Sequence, residues 1–550
     1  MNGRLKNSLW AVAFLMIILA WIFGLFIDLT GDSGLYAAIS RQMVESGDWL
    51  NLKINGEPYD QKPHLFFWLA GLGIQLFGNT NFAFKLFPFL FGLSSLYSIY
   101  RLARLFFSEL AGKLAALITG TSQIFFLYFL DLHTDSVLQA AVALALWQLA
   151  EYLNSKKPLN FILGFLGIGL AMLTKGPVGA ILPFFFVLFF LLLNKDYRQL
   201  FHPKWLLGII LVLVIISPSL YHLGKSFGFE GIRFYFIDNN IGRVTGKVAG
   251  SSTDPFFYLY NLLWAFLPWT VLVLAALFWE IKSWFGKQSV HKFASSLLGS
   301  ILVLLFVYSI ARGKAPNYLM ILIGPLIIIA SGKMQHYSQL SSSAFIKLTL
   351  AQVVIWVLLV GLLLAVGFLF HEISWFTFIL FLLTGIVILF LYLKIEKDNW
   401  CRLIYSGVII STMLNLYLNA VVIPKLFSYQ GNRQALDLFE SDNSQQNRLY
   451  NYALEEYELF FNAKDSVRNI ATWKQLYEAM EKTGTWIYTN EIKCNEILNM
   501  GFQIDTVYQI KHRGMNHISW QFVNPDTRNY SLEPNYLIKT KTGQNKIILK

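Results

Sequence analysis

The chain has 550 residues, of which 55% are hydrophobic, 16% aromatic and only 14% charged. A soluble domain averages about 25% charged residues, so this composition excludes an ordinary soluble protein and indicates that lipid surrounds much of the chain. The net charge of +12 does not indicate nucleic-acid binding, because Lys and Arg lie between apolar runs rather than in one basic stripe. Cys401 opens an apolar run and Cys494 lies in a polar region, so these two cysteines predict neither a disulfide nor a metal cluster.

Apolar runs long enough to cross a membrane recur from the N-terminus to residue 423. The first follows Arg4 and Lys6 and is longer than the core of a signal peptide, so we expect a retained helix. A spanning helix needs about 20 mostly apolar residues, and thirteen runs are predicted to be spans. They are roughly 8–28, 82–104, 114–132, 136–153, 159–174, 177–194, 205–222, 256–281, 294–311, 316–332, 345–369, 375–394 and 401–423.

The run at 64–78 is short and interrupted by glycines, so it is predicted to be an interfacial helix rather than a span. The distribution of Lys and Arg supports this choice, because cytoplasmic connections carry an excess of both. With the N-terminus in the cytoplasm, the short outer connections hold only Lys175, Arg312 and Lys314. A further span at 64–78 would place the basic connections outside. The pattern therefore predicts a cytoplasmic N-terminus and an external C-terminus.

This topology leaves two long outer loops, 29–81 and 223–255, within a transmembrane part predicted to cover residues 1–423. Residues 424–550 are polar and are predicted to form a small soluble α/β domain on the outer, periplasmic side. Its predicted elements are strands at Leu449–Ala453, Thr485–Thr489 and Gln503–Ile510 and a helix around Ile470–Lys482. The predicted fold is thus a polytopic α-helical membrane protein with a C-terminal α/β domain.

Carboxylates and cations gather on the predicted outer face from five separate segments. They include Asp32, Arg41, Lys62, His64, Asp131, His133, Asp135, Lys175, Arg233, Asp238, Arg243, Arg312 and Lys314. Cations are suited to binding a phosphate, and a carboxylate beside them can act as a general base. The combination predicts transfer from a phosphate-bearing donor. Because nucleotide sugars are absent outside the cytoplasm, that donor would be a polyprenyl-phosphate sugar in the membrane.

Several motifs resemble, in order, those of the ArnT-like and protein-mannosyltransferase-like glycosyltransferases, which are GT-C enzymes that use polyprenyl-phosphate sugars. The matching stretches are Gly31–Ala37, Ser46–Trp49, Gln61–Trp68, Thr134-Asp135, Leu173–Pro177, Asn240–Arg243 and Lys314–Tyr318. The resemblance covers roughly residues 8–335. It implies a GT-C fold with thirteen spans and a C-terminal soluble domain, in agreement with the hydropathy pattern.

The resemblance also implies a role for each matching residue. Asp32 would be the catalytic carboxylate that faces the acceptor, and Asp135 a second carboxylate that orients the first outer loop or the acceptor. The other matches would bind the lipid phosphate of the donor or support that binding. They are Lys62, Arg243, Tyr318, Lys175 and Lys314.

Three positions depart from the family pattern. Ser33 follows Asp32 where the family often has a second acid, and Gln61 and His64 stand where it often has Glu and Pro. Some relatives allow a divalent metal, but the missing Glu argues against one here, although His64 could serve as a ligand. No cofactor is therefore predicted with certainty, and the acceptor class stays open.

The predicted function is a glycosyltransferase of the bacterial inner membrane that uses an undecaprenyl-phosphate-like donor and acts on lipid A, lipopolysaccharide or another envelope glycan. A protein O-glycosyltransferase, a flippase for lipid-linked sugars, a polysaccharide polymerase or ligase and a structural membrane protein are the alternatives. A flippase would carry polar residues through its spans and two related halves, and neither is visible. If these residues have only structural roles, Asp32 and Asp135 cap helices, Tyr318 is an aromatic residue at the membrane interface and His133 stabilises the fold.

Overall fold

Most of the described chain is helical, and the helices that precede residue 430 are long and apolar. The computed structural model describes residues 3–541 except 241, 243–251, 285–290, 371–374, 391–397, 443–446, 466, 483 and 516–517. The helices of the first half are α1 (Gly3–Gly24), α2 (Asp32–Ser46), α3 (Leu65–Phe77), α4 (Asn81–Phe106), α5 (Glu109–Thr121), α6 (Gln123–Leu130), α7 (Thr134–Ser155), α8 (Pro158–Lys175), α9 (Val178–Leu193), α10 (Tyr197–Leu200) and α11 (Lys204–Arg233). Those up to residue 430 are α12 (Phe257–Ala265), α13 (Thr270–Trp284), α14 (Lys292–Ile310), α15 (Met320–Met334), α16 (Ser342–Leu369), α17 (Trp375–Phe390), α18 (Asn399–Tyr417) and α19 (Ile423–Phe427).

These helices make the chain a multi-pass membrane protein. Within the described residues, eight helical stretches are long and apolar enough to cross a membrane, or nine if α5 and α6, bent by 50° to each other, form one span. Shorter apolar helices cover Leu9–Gly24, Leu65–Phe77, Val178–Leu193 and Trp375–Ile388. The number of thirteen spans and the orientation of the termini stay predictions.

Helix α3 is the segment predicted to lie at the membrane interface. Its 13 residues give a length of about 20 Å, shorter than the roughly 30 Å hydrocarbon core of a bilayer. Phe66, Phe67 and Ala70 on this helix are fully buried. The helix therefore packs inside the protein between the first outer loop and α4 rather than presenting all its faces to lipid.

Several predicted spans differ in extent from the observed helices, including 114–132, which is divided into α5 and α6. The single span predicted at 256–281 is divided into α12 and α13, and α11 continues beyond its predicted end at 222 as far as Arg233. Gly228 within α11 has φ +63°, a conformation that glycine adopts without steric cost. The helix is kinked at Gly228, where the backbone is not helical, and a second helical part continues to Arg233. Part of the predicted second outer loop is therefore helical.

The polar C-terminal region contains a five-stranded mixed sheet in the order β4-β3-β5-β7-β6, counting a two-stranded hairpin in the first outer loop as β1 (Lys53–Ile54) and β2 (Glu57–Pro58). Its strands are β3 (Arg448–Tyr452), β4 (Arg468–Ile470), β5 (Thr485–Asn490), β6 (Ile504–His512) and β7 (Glu533–Thr540). The accompanying helices are α20 (Gly431–Ser441), α21 (Tyr457–Asn462), α22 (Trp473–Met480), α23 (Glu491–Asn499) and α24 (Trp520–Val523).

Strand β3 lies parallel to β4 and β5, whereas β7 is antiparallel to β5 and β6. The three predicted strands and the predicted helix are confirmed, with boundaries shifted by one to three residues. The division of the chain into domains at residue 424 stays a prediction, because α19 continues across that position.

Candidate active site

Helix α2 presents the carboxylate of Asp32 at its first turn. Gly31 before it has φ +55°, which allows the sharp entry into the helix. The side chain of Asp32 is 63% exposed, while Ser33, Gly34 and Tyr36 on the same helix are buried. A helix N-terminus stabilises a negative charge. The sequence thus places an accessible carboxylate on a rigid support, as a general base requires.

A polar network lies directly behind Asp32, in the connection between α6 and α7. The Nδ1 atom of His133 lies 4.0 Å from Asp32 Oδ2, and its Nε2 atom lies 3.0 Å from Asp131 Oδ2. Ser33 Oγ donates a 2.6 Å hydrogen bond to Asp131 Oδ1. Burial lowers the pKa of His133, but the carboxylates of Asp131 and Asp32 more than offset this effect, so its pKa is raised above the usual value. A cationic His133 between two carboxylates would fix the position of Asp32.

Asp135, Lys175 and Tyr318 meet in a second cluster. Asp135 is in the first turn of α7, and Lys175 ends α8 just before Gly176, whose φ of +81° closes the helix. Lys175 Nζ lies 2.7 Å from both carboxylate oxygens of Asp135 and 4.4 Å from the centre of the Tyr318 ring. Asn317 Nδ2 donates to Asp135 Oδ2 at 2.7 Å. Three predicted site residues from distant segments therefore form one contact set.

Tyr36 connects the two clusters. It is 3% exposed, shares a hydrogen bond with the side chain of Thr134 and lies within electrostatic range of both Asp32 and Asp135. Because Thr134 is the residue before Asp135, movement of α2 would be transmitted to the second carboxylate. The two predicted carboxylates thus lie near one shared buried residue, Tyr36.

A small cavity of about 100 Å³ opens beside Lys175. Its wall includes three residues predicted to bind the donor phosphate, Lys62, Lys175 and Tyr318. Asn239, Asn240 and Tyr308 complete its polar part, while Val178, Ile181 and Val307 supply apolar surface. Two lysines, two asparagines and two tyrosines around one cavity are the groups expected to bind a phosphate ester.

Among the described residues, the predicted donor-binding residue Lys314 does not line this cavity. Lys314 is 1% exposed, and its ammonium donates to the backbone carbonyl of Ala311 three residues earlier. Its observed contact therefore supports the turn that carries Tyr318 rather than the cavity wall. Arg243 lies outside the described residues.

Comparison with known proteins shows similarity to glycosyltransferases. The model of the dolichyl-phosphate-mannose-protein mannosyltransferase family matches residues 61–222. The chain is 29% identical to an uncharacterized protein of Aquifex aeolicus over 52% of its own length and 56% of the relative. It is 30% identical to the undecaprenyl phosphate-alpha-4-amino-4-deoxy-L-arabinose arabinosyl transferase of Edwardsiella ictaluri, over 56% of the chain and 55% of the relative. In sequence the chain thus spans little more than half the length of these relatives.

The fold extends the similarity over the whole molecule. The crystal structure of ArnT from Cupriavidus metallidurans bound to undecaprenyl phosphate superimposes with a TM-score of 0.72 at 18% identity, covering 98% of both chains. The chain therefore has the fold of ArnT, and its sequence is similar to glycosyltransferases that are named for polyprenyl-phosphate donors. The C-terminal sheet is included in the superposition, so the GT-C fold accounts for nearly the complete chain.

The departure from the family pattern at Ser33 has a structural counterpart. The Ser33 side chain is fully buried, and its hydroxyl donates to Asp131. A second acid at this position would place its carboxylate against that of Asp131, and two like charges in contact repel each other. The contact with Asp131 thus gives a physical reason for a serine rather than an acid directly after Asp32.

The departure at His64 also has a structural consequence. His64 is fully buried, with Nδ1 2.7 Å from Ser219 Oγ and Nε2 3.0 Å from the carbonyl oxygen of Leu50. Burial lowers the pKa of His64 to about 4, so the ring is neutral and tethers the first outer loop to α11. Across the described part of the chain, no group of three His, Cys, Asp or Glu side chains is arranged to hold a metal ion.

Sequence reasoning missed the contact between α2 and the C-terminal region. The guanidinium of Arg41 on α2 donates to the carbonyl oxygens of Phe460, Phe461, Ala463 and Lys464 at the end of α21. Residues more than 400 positions apart are thereby joined. Four carbonyls at a helix end form an acceptor set suited to a guanidinium. The only sequence signal was a charged residue, Arg41, on the otherwise small or apolar face of α2.

Glu458 on α21 makes the second part of this contact. It is 5% exposed and packs so closely on Gly34 of α2 that a Cβ added there would lie 2.7 Å from its Cδ atom. Burial, with the nearby Glu456 carboxylate, raises the pKa of Glu458 to about 8. The helix that carries Asp32 therefore rests directly on the C-terminal region.

Proposed function

We propose that the chain is a membrane glycosyltransferase that moves one sugar from a polyprenyl-phosphate donor to an acceptor at the outer face of the bacterial inner membrane. The observation that supports it best is the cavity that Lys62, Lys175 and Tyr318 line together beside Asp135. These residues come from three distant segments, and each is of a type that binds phosphate oxygens.

The proposed reaction is a single displacement. The Asp32 carboxylate accepts the proton of an acceptor hydroxyl, whose oxygen attacks the anomeric carbon of the donor sugar. The bond between that carbon and the phosphate oxygen breaks, and its electron pair leaves with the polyprenyl phosphate. Lys62, Lys175 and the Tyr318 hydroxyl stabilise the charge that develops on the leaving phosphate. Because attack and departure occur on opposite sides of the carbon, the reaction inverts the anomeric configuration.

The relatives support the choice of donor. The Edwardsiella ictaluri relative carries undecaprenyl phosphate and an amino-sugar in its name, and ArnT from Cupriavidus metallidurans was crystallised with undecaprenyl phosphate. We propose that this protein also uses an undecaprenyl-phosphate-like donor. The proposed acceptor is lipid A, lipopolysaccharide or another envelope glycan, because a glycolipid of the outer leaflet meets a membrane-held donor without leaving the bilayer.

A protein acceptor is the second candidate. It is favoured by the family model matched at residues 61–222, which describes mannosyl transfer to protein. Both candidates use the same cavity and the same base. They differ only in the molecule that approaches Asp32.

The test is mass spectrometry of envelope glycolipids and glycoproteins from cells with the protein, without it and with an Asp32→Asn variant. We expect a sugar-sized mass to disappear from one acceptor class in both altered strains, while the variant still inserts in the membrane. The class that changes decides between the two candidates. Unchanged glycolipids and glycoproteins in the deletion strain, or normal transfer by the inserted variant, would refute the proposal.

A further inference from the structure

A polar cleft of about 760 Å³ lies at the carboxyl ends of the parallel strands of the C-terminal sheet, apart from the phosphate-type cavity. The chain leaves β3 through α21 toward β4 at one edge, and it leaves β5 through α23 toward β6 at the other edge. Where connections leave adjacent parallel strands toward opposite sides, a crevice forms that α/β proteins use for ligands. The cleft occupies this crevice.

The cleft wall combines an aromatic surface with amide groups. Trp473 is 42% exposed and meets the ring of Tyr452 edge to face at 6.2 Å. Lys493 Nζ lies 5.1 Å from the centre of the Trp473 ring and holds one side of it. The C–H groups of a sugar ring carry the partial positive charge that the negative face of an aromatic ring attracts. An open tryptophan beside polar groups is therefore a surface on which a saccharide can stack.

Amide side chains provide the hydrogen-bonding part of the cleft. Asn451 lines it at 1% exposure, and its Oδ1 atom has no hydrogen-bond partner among the described residues. Asn469 lies beside it and accepts from Asn451 Nδ2 at 3.1 Å. Asn55, at the tip of the β1–β2 hairpin, contributes an exposed amide from the first outer loop. Convergent amides on an aromatic wall are typical of pockets that recognise hydroxyl-rich ligands.

The cleft is connected to the proposed catalytic carboxylate. Tyr457 lines the cleft, and Tyr59 lies within electrostatic range of both Tyr457 and Asp32. Asn55 is four residues from Tyr59 on the same hairpin. The hydrogen bonds of Arg41 to the end of α21 hold the sheet and α2 together. The cleft therefore has a fixed position with respect to Asp32.

We propose that this cleft binds a saccharide unit of the acceptor glycan and so presents a neighbouring hydroxyl group to Asp32. The inference that the bound saccharide belongs to the acceptor rests on the proposed function, whereas the saccharide site itself does not depend on it. Trp473 stacks on the sugar ring, and Asn55 and Asn451 bind its hydroxyl groups. The C-terminal region is then the part of the molecule that selects the acceptor.

The experiment uses the full-length protein in detergent and, as a probe, the glucosamine disaccharide obtained by removing the acyl chains and phosphates of lipid A. Saturation-transfer NMR titration measures its binding. A Trp473→Ala variant is expected to bind about tenfold more weakly, which corresponds to the loss of one aromatic contact. Asn55→Gly, which keeps the left-handed backbone at φ +54°, is expected to weaken binding as well. Trp520→Ala removes a 71% exposed tryptophan outside the cleft and is the matched control.

A transfer assay with the intact acceptor separates this proposal from the proposed function. We expect Trp473→Ala to raise the KM for the acceptor about tenfold with kcat and the KM for the donor unchanged. If Trp473→Ala and Trp520→Ala have equal affinities, or the unaltered protein does not bind the disaccharide, the cleft is not a saccharide site. If binding depends on Trp473 but the unaltered protein transfers no sugar, the cleft is a saccharide site and the proposed function is wrong.

Discussion

Lys175 Nζ lies 2.7 Å from both carboxylate oxygens of Asp135, although 40 residues separate the two. Asp135 is 1% exposed and the Lys175 side chain 13% exposed, so each charge depends on the other for its solvation. The carboxylate positions the ammonium at the cavity wall next to Tyr318. Lys175 can still meet a phosphate there, because an ammonium donates three hydrogen bonds.

The first prediction concerns this ion pair. Asp135→Asn leaves a nearly buried ammonium without its anion, and we expect a loss of about 3 kcal/mol of unfolding free energy. Lys175→Met combined with Asp135→Asn should recover part of this loss, with a coupling energy of about 1–3 kcal/mol. The measurement is thermal or denaturant unfolding in detergent for the four members of the cycle.

The pair between Lys113 and Glu109, 3.5 Å apart and more exposed, is the control for that cycle. Glu109→Gln and Lys113→Met should show a coupling energy below about 1 kcal/mol. Equal coupling at the two pairs would contradict a special role for Asp135.

The second prediction concerns His133, whose Nδ1 atom faces Asp32 at 4.0 Å. His133→Gln removes the cation between Asp32 and Asp131, so we expect kcat of sugar transfer to fall about tenfold or more, as for other groups that hold a catalytic base. Because the pKa of His133 is raised in the folded protein, its stabilising contribution is complete below the unfolded value of about 6.5. It is lost as the pH rises through the folded pKa.

The measurement is the difference in unfolding free energy between the unaltered protein and His133→Gln as a function of pH, alongside kcat. The difference should be largest at acidic pH and smaller at alkaline pH. His336→Gln, on an exposed turn after α15, should change neither quantity. A difference that grows with pH would show that His133 is neutral and that its role is only structural.

Hydropathy and charge predicted that the candidate site residues lie on one face of the protein, but not which of them pair there. Lys175 and Asp135 were both assigned to the outer face because each follows or precedes an apolar run. Their pairing could not be derived, since it depends on how α7 and α8 pack together. The short length of α3 was predictable because it follows from the sequence alone, whereas its place at the membrane interface stays a prediction.

The contact of the C-terminal region with α2 was not predictable for a different reason. Arg41 and Glu458 carry no motif, and their partners lie more than 400 residues away. The sequence alone does not show whether a charged residue is buried, because the same residue types are common on protein surfaces. Asp32 was identified from a family motif, whereas the helices that support it required the fold.

The third prediction concerns Arg41. Arg41→Ala removes its hydrogen bonds to four backbone carbonyls at the end of α21, and we expect a loss on the order of 3 kcal/mol of unfolding free energy. Arg41→Lys should recover less than half of it, because an ammonium cannot reproduce the planar set of guanidinium donors. Unfolding in detergent measures the loss, and a transfer assay should show a lower kcat because α2 also carries Asp32.

Arg433 provides the comparison for Arg41. It also joins the C-terminal region to the first segment, through Asp28 at 3.1 Å, but its side chain is 76% exposed. Arg433→Ala should therefore cost less than about 1 kcal/mol. Similar losses for the two arginines would mean that burial of Arg41 does not determine its contribution.

The fourth prediction uses the raised pKa of Glu458. Its folded pKa is about 8 against an ordinary value of 4.5, so the folded protein holds a proton that the unfolded chain releases between these two values. The contribution of Glu458 to the free energy of unfolding is therefore greatest below about pH 4.5 and decreases as the pH rises towards 8. The slope is at most about 1.4 kcal/mol per pH unit. Glu458→Gln keeps the shape of the protonated side chain against Gly34 and carries no titratable proton.

We expect Glu458→Gln to unfold at nearly the same temperature as the unaltered protein near pH 5 and at a higher temperature near pH 8. Glu481→Gln, on an exposed turn after α22, should show no such dependence on pH. The opposite trend, with the Gln variant less stable at pH 8 than the unaltered protein, would mean that Glu458 is ionised and paired. In that case the close packing of α21 on α2 would depend on a charge rather than on a neutral carboxyl group.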